Sequence, residues 1–371
     1  MYTNIQHTYM TLALRLAGQG LYSTSPNPRV GCVIVKNNQI VGQGAHLKAG
    51  EPHAEVFALL QAGAQAKDAD IYVTLEPCSH FGKTPPCVQA VIAAKPQRVI
   101  IAMQDPNPLV AGRSIAALRA QGIEVIVGVM EQEALILNPG FVSRMARGLP
   151  YVRSKIAASL DGRTALQNGQ SQWITGEPAR LDVQHWRAQS CAIVTGIGTV
   201  LADDPSMTVR LPDAPRQPLR VIVDSSLQTP VDCKMLDAAM LKHSPVLIAY
   251  AQDDHHQAQT LFAAGAALIK LADANHRVDL SALFKHLAQC GINEILVEAG
   301  QGLNGALLHA NFIDEFIFYY APKLMGADAQ AMFAIPEITA MQQVTELQIL
   351  DVRQIGRDIR LRAKPVKPRT N

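Results

Sequence analysis

The feature that most constrains this chain is a repeated alternation of short, β-branched apolar runs with segments of helical periodicity. Strands separated by helices favour a mainly parallel sheet that is covered on both faces. In the first part of the chain, the predicted strands are 30–35, 71–75, 98–102 and 124–127, and the predicted helices are 53–60, 88–94 and 115–120. The pattern therefore predicts an α/β fold.

The alternation breaks at Arg147-Gly-Leu-Pro150 and then restarts. The later predicted strands are 152–157, 192–195, 219–223, 245–249, 294–298 and 316–320, and helix 177–189 lies among them. A chain of 371 residues is too long for one ordinary core, so we expect two domains. We predict domains at 1–148 and 149–366, and we interpret 367–371 as a frayed tail.

Composition excludes several classes of protein. A hydrophobic content of 48% with 17% charged residues is typical of a globular chain, and a net charge of +2 gives no support for a nucleic-acid partner. Arg15 interrupts the only apolar stretch near the N-terminus, which predicts a helix there and not a signal peptide. No apolar run reaches the ~18 residues of a membrane span. Six cysteines in so long a chain are not a disulfide framework, and we expect a cytoplasmic protein.

A histidine and two cysteines form the first candidate site. His53 stands at a predicted helix start, Cys78 lies in a proline-bounded loop, and Cys87 opens another predicted helix, where the helix dipole favours a thiolate. A closed structural zinc site has four ligands, so three predict an open position for water, whose pKa zinc would lower to about 7. Glu55 is two residues beyond His53 and is the candidate proton shuttle.

The order of these residues is that of the zinc deaminase signature H-x-E followed by P-C-x-x-C, except that the two cysteines are further apart. A structural zinc, with Glu55 merely capping its helix, is the alternative interpretation. His46 and His80 are interpreted as hydrogen-bonded neighbours and are left out of the catalytic set.

Two glycine patterns form the second candidate site. Gly300-Gln-Gly-Leu-Asn-Gly305 follows a predicted strand and precedes a predicted helix at 306–310. It comes late in its domain, and Asp314 and Glu315 follow too soon to be the acidic partner of a Rossmann fingerprint. Thr195-Gly-Ile-Gly-Thr199 lacks the third glycine. The patterns are compatible with plain tight turns or with two turns around one phosphate-bearing cofactor.

Four motifs of the first domain resemble the deaminase half of the bifunctional riboflavin biosynthesis deaminase/reductases. They are Ser25-Pro-Asn-Pro-Arg-Val-Gly31, His53-Ala-Glu55, Glu76-Pro-Cys-Ser-His-Phe-Gly-Lys-Thr-Pro-Pro-Cys87 and Asp105-Pro-Asn-Pro108. The resemblance implies a cytidine-deaminase-like α/β/α domain in which His53, Cys78 and Cys87 bind zinc and Glu55 is the general acid/base. Ser114 departs from the glycine expected there.

Four motifs of the second domain resemble the reductase half of the same family. They are Lys155-Ile-Ala-Ala-Ser-Leu-Asp-Gly-Arg-Thr-Ala165, Ser171-Gln-Trp-Ile-Thr175, Gly196-Ile-Gly-Thr-Val-Leu-Ala-Asp-Asp-Pro205 and Ala321-Pro-Lys-Leu-Met-Gly326. The resemblance implies a dihydrofolate-reductase-like α/β domain that uses NADPH. The implied cofactor contacts are Ala157, Trp173, Thr199, Asp203, Ser225, Gly300, Gln301, Gly302, Leu303, Asn304, Gly305 and Ala306. The implied substrate contacts are Ser171, Arg187, Met207, Arg210 and Glu298.

Two further departures from the family pattern are Met207 in place of leucine and Thr195 in place of valine, and Lys155 is given no role. The resemblance implies deamination of a pyrimidine ribonucleotide, reduction of its ribosyl group to ribityl, and a homodimer or larger homo-oligomer. Three alternatives stay open: a nucleic-acid editing deaminase, a deaminase whose second domain only binds a regulatory dinucleotide, and a zinc-stapled scaffold.

Overall fold

A computed structural model describes residues 3–79, 86–108, 110–254 and 256–366 of the chain. Its contacts divide the chain into two compact units, Met1–Leu149 and Pro150–Asn371. The predicted tail at 367–371 lies outside the described residues. In the part of the chain that is described, no helix has the length and apolar character needed to cross a bilayer.

The first unit consists of five strands and six helices in its described residues. The strands are β1 (Gly31–Lys36), β2 (Gln39–Ala45), β3 (Asp70–Leu75), β4 (Arg98–Met103) and β5 (Glu124–Val127). The helices are α1 (Asn4–Gly18), α2 (Ala54–Ala62), α3 (Cys87–Ala94), α4 (Arg113–Ala120), α5 (Glu131–Leu137) and α6 (Pro139–Arg147). The predicted helices and strands of this unit therefore occur within one or two residues of the positions expected.

The sheet of the first unit has the order β2-β1-β3-β4-β5. Strands β3, β4 and β5 are parallel, but β1 pairs antiparallel with both β2 and β3. The expectation of a mainly parallel sheet was therefore wrong for β1 and β2. The glycine-interrupted strand β2 was missed because Gly42 and Gly44 weaken its apolar alternation.

Those two glycines are needed for helix packing. A Cβ atom at Gly42 would lie 2.2 Å from the carbonyl oxygen of Ala58, and one at Gly44 would lie 2.3 Å from that of Ala54. Helix α2 therefore rests directly on the backbone of β2, which fixes the position of its N-terminus and of the residues that begin it.

The second unit is larger. Its strands are β6 (Tyr151–Ser159), β7 (Arg163–Ala165), β8 (Ala192–Gly196), β9 (Leu219–Val223), β10 (Val246–Tyr250), β11 (Ala267–Lys270), β12 (Glu294–Val297), β13 (Glu315–Ala321), β14 (Gln330–Ala331), β15 (Leu347–Ile355) and β16 (Asp358–Pro365). Its helices are α7 (Glu177–Gln189), α8 (Ile197–Asp203), α9 (Ala238–Leu241), α10 (Gln257–Ala263), α11 (Leu280–Gln289) and α12 (Gln301–His309).

Nine of these strands form one sheet with the order β11-β10-β9-β8-β12-β6-β13-β16-β15. The strands from β11 to β13 are parallel, and β16 and β15 add an antiparallel hairpin at one edge. From β8 the chain runs outward to β11 and then returns to place β12 between β8 and β6. In open α/β sheets, ligands bind beyond the carboxyl ends of the strands at such a point.

One local expectation for this unit was wrong. Helix α12 begins at Gln301, not at residue 306, so Gly302 and Gly305 lie in the helix and not in a turn before it. Glycine is a poor residue for a helix interior, which is why the pattern favoured a turn. Tertiary packing requires it here, because a Cβ atom at Gly305 would lie 2.0 Å from the carbonyl oxygen of Ala334.

Candidate functional site

Three predicted ligands converge in the first unit. His53 is the residue that caps α2, Cys87 is the first residue of α3, and Cys78 lies three residues beyond β3. The Nδ1 atom of His53 lies 3.1 Å from Sγ of Cys87 and 3.6 Å from Sγ of Cys78. All three ligand atoms lie within 4.8 Å of one another, so two helix starts and one strand end bring them to a single point.

This donor set fits zinc. Zinc binds histidine nitrogen and cysteine sulfur at ~2.0–2.3 Å, which separates ligand atoms by roughly 3–4 Å, and both distances from His53 to the cysteine sulfur atoms lie in this range. The backbone N–H of Cys87 donates to Sγ of Cys78 at 3.2 Å. Hydrogen bonding from Cys87, assisted by His53, lowers the pKa of the Cys78 thiol to about 4. The site therefore stabilises the thiolate of Cys78, the form that a metal ion requires, whereas the hydrogen bond with Cys78 and burial raise the pKa of the Cys87 thiol.

Glu55 lies in the first turn of α2 and is only 3% exposed. Burial raises the pKa of its carboxyl group to about 7, and the negative charge of Cys78 adds to the effect. Its Oε2 atom is buried and has no hydrogen-bond partner among the described residues. A buried carboxylate oxygen that is left without a donor is suited to exchange a proton with a bound molecule.

The structure also brings together residues that sequence reasoning left out. The ring of His46 meets that of His53 edge to face, with centroids 5.0 Å apart. The Nε2 atom of His46 lies 3.1 Å from Nδ2 of Asn27, and its Nδ1 atom lies 3.2 Å from the carbonyl oxygen of Pro52. His46 and Asn27 thus support the loop that precedes His53. Asn27 belongs to the first deaminase motif, and this membership was the only feature of the sequence that could have linked it to the site. Residues 80–85, including His80, lie outside the described part of the chain.

The second unit contains a cavity of about 1000 Å³ beyond the carboxyl ends of β8, β9 and β12. Ten predicted cofactor contacts line it: Ala157, Trp173, Thr199, Asp203, Ser225, Gly300, Gln301, Gly302, Leu303 and Ala306. All five predicted substrate contacts line it as well: Ser171, Arg187, Met207, Arg210 and Glu298. Residues that are up to 149 positions apart in the sequence thus share one cavity.

Two predicted cofactor contacts do not line this cavity. Asn304 is 1% exposed, and its side chain accepts from the Ser154 hydroxyl at 2.9 Å and donates to the Ala299 carbonyl oxygen at 2.8 Å. Gly305 faces the backbone of Ala334. Both residues hold α12 against its neighbours, because the predicted turn is the first part of a helix and its residues face different sides.

The two predicted arginines lie in different environments. Arg187 is buried, donates from Nε and Nη2 to the Glu298 carboxylate at 2.5 and 3.0 Å, and donates from Nη1 to the Thr208 carbonyl oxygen at 2.9 Å. Arg210 forms no ion pair with any described residue, and burial lowers the pKa of its guanidinium. Arg187 is thus committed to protein partners, while Arg210 keeps its donors available in the cavity.

Glu298 is the centre of a charged cluster. Lys155, which the sequence left without a role, lies 3.6 Å from its Oε2 atom. Burial opposes ionisation of Glu298, but Arg187 and Lys155 outweigh burial and lower its pKa to about 2. Trp173 is 64% exposed, with the guanidinium of Arg180 4.5 Å from its ring centroid, so it forms a wall of the cavity and not part of the core.

Comparison with known proteins gives matches over both units. Residues 3–103 match a family model described as the cytidine and deoxycytidylate deaminase zinc-binding region, and residues 150–361 match one described as the RibD C-terminal domain. The chain is 46% identical over 364 residues to the riboflavin biosynthesis protein RibD of Escherichia coli (strain K12), a match that covers 95% of this chain and 97% of that protein. It is also 46% identical to RibD of Bacillus amyloliquefaciens, with 97% and 96% covered.

Solved structures agree with these matches. The structure of Acinetobacter baumannii RibD superposes with a TM-score of 0.90 at 46% identity and covers 98% of this chain and 99% of that one. A Thermotoga maritima diaminohydroxyphosphoribosylaminopyrimidine deaminase/5-amino-6-(5-phosphoribosylamino)uracil reductase superposes with a TM-score of 0.85 at 30% identity, with the same coverage. The likeness therefore extends over both units.

Proposed function

The chain belongs to the RibD family, the bifunctional deaminase/reductases of riboflavin biosynthesis that use zinc and NADPH, and from this we propose how its residues divide the two reactions. The first unit removes the 2-amino group of 2,5-diamino-6-ribosylamino-4(3H)-pyrimidinone 5′-phosphate. The second unit then reduces the ribosyl group to ribityl, which gives 5-amino-6-ribitylamino-uracil 5′-phosphate. The proposed domains are 1–148 and 149–366, which the division into two compact units supports.

His53, Cys78 and Cys87 are the proposed zinc ligands and Glu55 the proposed general acid/base. Zinc, when bound, supplies a Lewis acid that makes water a nucleophile near neutral pH. The Oε2 atom of Glu55 takes a proton from the water that attacks the ring carbon, and Glu55 then delivers a proton to the amino nitrogen, which leaves as ammonia. The buried, unpartnered Oε2 atom beside the three ligands is the observation that carries this assignment.

The cavity of the second unit is the proposed reductase site. NADPH, when bound, supplies the hydride, so the protein contributes mainly orientation. Arg210 is the proposed phosphate contact, since a guanidinium without a carboxylate partner keeps its fork for an anion. Arg187 keeps Glu298 ionised and in place, and Glu298 with Ser171 and Met207 faces the ribosyl chain. Ala157, Trp173, Thr199, Asp203, Ser225, Gly300, Gln301, Gly302, Leu303 and Ala306 are the proposed cofactor contacts.

The function is tested by incubating zinc-loaded protein with the diaminopyrimidine ribonucleotide and NADPH and recording the mass spectrum of the product. We expect amine-to-oxygen exchange together with two added hydrogens. Exchange without reduction, with NADPH still bound, would make the second unit a regulatory dinucleotide site. A product with neither change, from protein of measured zinc content, would favour the zinc-stapled scaffold.

We also propose that the protein is a homodimer that covers an exposed apolar segment of the second unit. Every residue from 334 to 350 is exposed, and β15 is an edge strand whose apolar side chains face solvent. Its large apolar residues are Ile335, Ile338, Met341, Val344, Leu347, Ile349, Leu350 and Val352. They expose on the order of 600 Å², close to the ~800 Å² that each partner buries in a stable complex. The cytoplasm remains the predicted location.

The homodimer is tested by light scattering after size-exclusion chromatography at micromolar concentration. We expect twice the chain mass for the wild type and the monomer mass for Ile349→Lys combined with Val352→Lys. Phe262→Lys is the matched control, because Phe262 is 69% exposed on α10, away from this segment. A wild-type monomer at micromolar concentration contradicts the proposal.

A further inference from the structure

Glu76, two residues before the proposed ligand Cys78, is a buried carboxylate with four backbone donors. Its Oε2 atom accepts from the N–H groups of Asp105 at 3.2 Å and Gly112 at 2.9 Å. Its Oε1 atom accepts from the N–H groups of Ser114 at 3.0 Å and Ile115 at 3.4 Å. Only 3% of Glu76 is exposed, so water does not compete for these hydrogen bonds.

Three of these donors, Gly112, Ser114 and Ile115, belong to the start of α4, and Asp105 lies two residues beyond β4. The first turn of any helix leaves backbone N–H groups without partners, and a capping side chain normally accepts from them. Here the capping position is held by Gly112, at φ +76°, which has no side chain. Glu76 takes over this function from the end of another strand, and the helix dipole favours its negative charge.

A second hydrogen bond joins the same two segments. The hydroxyl of Ser114 donates to the carbonyl oxygen of Pro77 at 2.5 Å, and Ser114 is buried. Pro77 directly precedes Cys78, whose own carbonyl oxygen accepts from Val88 N at 3.2 Å. The backbone on both sides of the Cys78 side chain is therefore held by neighbouring elements. A glycine at 114, as the family pattern has it, could not form the first of these bonds.

We infer that Glu76 and Ser114 are positioning residues for the metal centre. They attach the Glu76-Pro77-Cys78 segment to the N-terminus of α4 and so hold the Cys78 thiolate at the distance from His53 that the ion requires. Partners that orient metal ligands typically change metal affinity by about 10–100-fold when they are removed. The inference rests on the proposed zinc site and adds residues to it that touch neither metal nor substrate.

The test compares Glu76→Gln with wild type in the full chain by competitive zinc titration and by the absorption spectrum of the Co²⁺-substituted protein. An amide offers one acceptor oxygen where the carboxylate offers two, so we expect zinc affinity to fall about 10–100-fold. The thiolate-to-Co²⁺ bands should shift or weaken. Glu133→Gln on α5 is the matched control. Reductase activity on deaminated substrate, which the second unit carries, should stay unchanged.

Zinc affinity within twofold of wild type, with an unaltered Co²⁺ spectrum, would overturn the inference. Ser114→Ala removes only the hydrogen bond to Pro77, and it tests the same inference if Glu76→Gln does not fold. We expect it to lower zinc affinity several-fold and to shift the Co²⁺ bands in the same direction; an unchanged affinity and spectrum would count against the inference. A wild-type protein that binds no zinc would instead contradict the proposed metal site.

A separate observation concerns the choice between NADPH and NADH. The cavity extends from the turns after β8 and β12 to the end of β9, where Ser225, Arg277, Val278 and Leu280 line it. The backbone N–H of Val278 donates to the Ser225 hydroxyl at 3.2 Å, which fixes Arg277 beside this end. The charged substrate contacts lie at the opposite side, near β6. A dinucleotide with its phosphates at the two turns would therefore place its adenosine near Ser225.

The acidic residue that could select NADH at the Ser225 end of the cavity is Asp224, but its side chain is buried. An NAD-specific site uses a carboxylate for the ribose 2′-hydroxyl, and an NADP-specific site uses an arginine for the 2′-phosphate. Asp224 precedes Ser225 but is fully buried and is not among the residues that line the cavity. Its Oδ2 atom accepts from N and Oγ1 of Thr229 at 2.8 and 2.7 Å, and its Oδ1 atom is buried without a hydrogen-bond partner among the described residues. The cavity is left with the neutral hydroxyl of Ser225 at this position.

The other cations that line the cavity have partners or lie elsewhere. Lys155 and Arg187 contact Glu298, Arg180 stacks on Trp173, Lys234 lies 3.5 Å from Asp204, and Arg210 lies by Arg187. The geometry points to Arg277 as the residue that recognises the 2′-phosphate of NADPH. This inference rests on the proposed cofactor site and identifies the residue within it that selects NADPH over NADH.

Calorimetric binding of adenosine 2′,5′-bisphosphate and of 5′-AMP to the full chain tests this. We expect Arg277→Ala to weaken the bisphosphate at least tenfold and to change 5′-AMP less than twofold, while Lys285→Ala changes neither. The KM ratio of NADH to NADPH should fall by a similar factor. Equal effects on both nucleotides, or none, would overturn the role of Arg277. A wild-type chain that binds neither nucleotide would contradict the cofactor site itself.

Discussion

The metal centre and the reductase cavity are built in opposite ways. The four residues of the metal centre come from two short motifs, at 53–55 and 78–87, and each stands at the start of a helix or just beyond a strand. The cavity takes its residues from the ends of β8, β9 and β12, from β6, and from the loops between them. A site of the first kind can be predicted from spacing, whereas a site of the second kind depends on the order of strands in the sheet.

A second contrast is electrostatic. The metal centre holds a buried carboxylate whose pKa is raised to about 7 by burial, while the cavity holds one whose pKa is lowered to about 2 despite burial. Among the described residues, one oxygen of Glu55 has no hydrogen-bond partner, whereas Glu298 contacts Arg187 and Lys155. The comparison supports the proposed roles, in which Glu55 exchanges protons and Glu298 stays ionised.

The largest expected effect separates the two sites. Glu55→Gln should lower the rate of deamination by about 10³-fold, because the amide cannot move the proton. Zinc content and the reduction of deaminated substrate should be unchanged. Separate assays of ammonia release and NADPH oxidation measure the two reactions. Deamination within tenfold of wild type would show that Glu55 is not the general acid/base, and Glu133→Gln controls for a general effect of charge loss.

The next effect distinguishes the two arginines of the cavity. Arg187→Met should lower the free energy of unfolding of the second unit by about 3–5 kcal/mol, because it leaves the Glu298 carboxylate buried beside fewer partners. Arg210→Met should change stability little and should raise KM for the phosphorylated substrate about tenfold or more. Trp173 and Trp186 are the two tryptophans of the chain, so their fluorescence in urea reports on the second unit alone. Equal stabilities of the two variants would contradict this division.

A third test uses pH. The pKa of Glu298 is about 2 in the folded protein and about 4.5 in the unfolded chain. A group with a depressed folded pKa stabilises the fold above its unfolded pKa, and this contribution is lost as pH falls from about 5 to about 2. The shift corresponds to about 3 kcal/mol. Tryptophan fluorescence in urea at several pH values should show a steeper loss for wild type than for Glu298→Gln. Parallel curves would contradict the assignment.

The smallest effect concerns Thr195. Its Oγ1 atom is buried and has no partner among the described residues. Thr195→Val has nearly the same shape and removes the unpaired hydroxyl, so it should stabilise the second unit by about 1 kcal/mol. The same fluorescence titration measures it, and a destabilised variant would indicate that the hydroxyl has a bound partner, such as water.

Much of the fold could be predicted from local pattern. The predicted fold class and the predicted zinc and NADPH cofactors are confirmed by the family. Buried parallel strands were predicted well, because continuous apolar runs such as β4 and β9 carry a strong signal. Strands β15 and β16 were missed, since their mixed polar and apolar residues belong to an exposed hairpin whose periodicity is interrupted by a bulge near Ile349.

The roles assigned to individual residues remain predictions, and the structure supports some of them more strongly than others. The three ligands converge as expected, but Asn304 and Gly305 face away from the cavity, because the start of α12 could not be located from glycines whose purpose is helix packing. Arg187 was predicted as a substrate contact from the family resemblance. Its burial against Glu298 could not be foreseen, because the two residues lie on α7 and just beyond β12.

The sequence by itself determined the two-part α/β organisation, the family, and the identity of the residues that can bind zinc, because these depend on residue type and short spacing. Only the tertiary structure decided which side chains are available for ligands. In the described part of the chain, Glu55 has an oxygen without a hydrogen-bond partner, Arg187 is bound to Glu298, Asp224 is buried against Thr229, and Glu76 caps a helix 36 residues further along the chain. Asp224 and Thr229 are five positions apart, but the other outcomes depend on a hydrogen bond, or its absence, between segments far apart in sequence, and local pattern contains no information about such pairs.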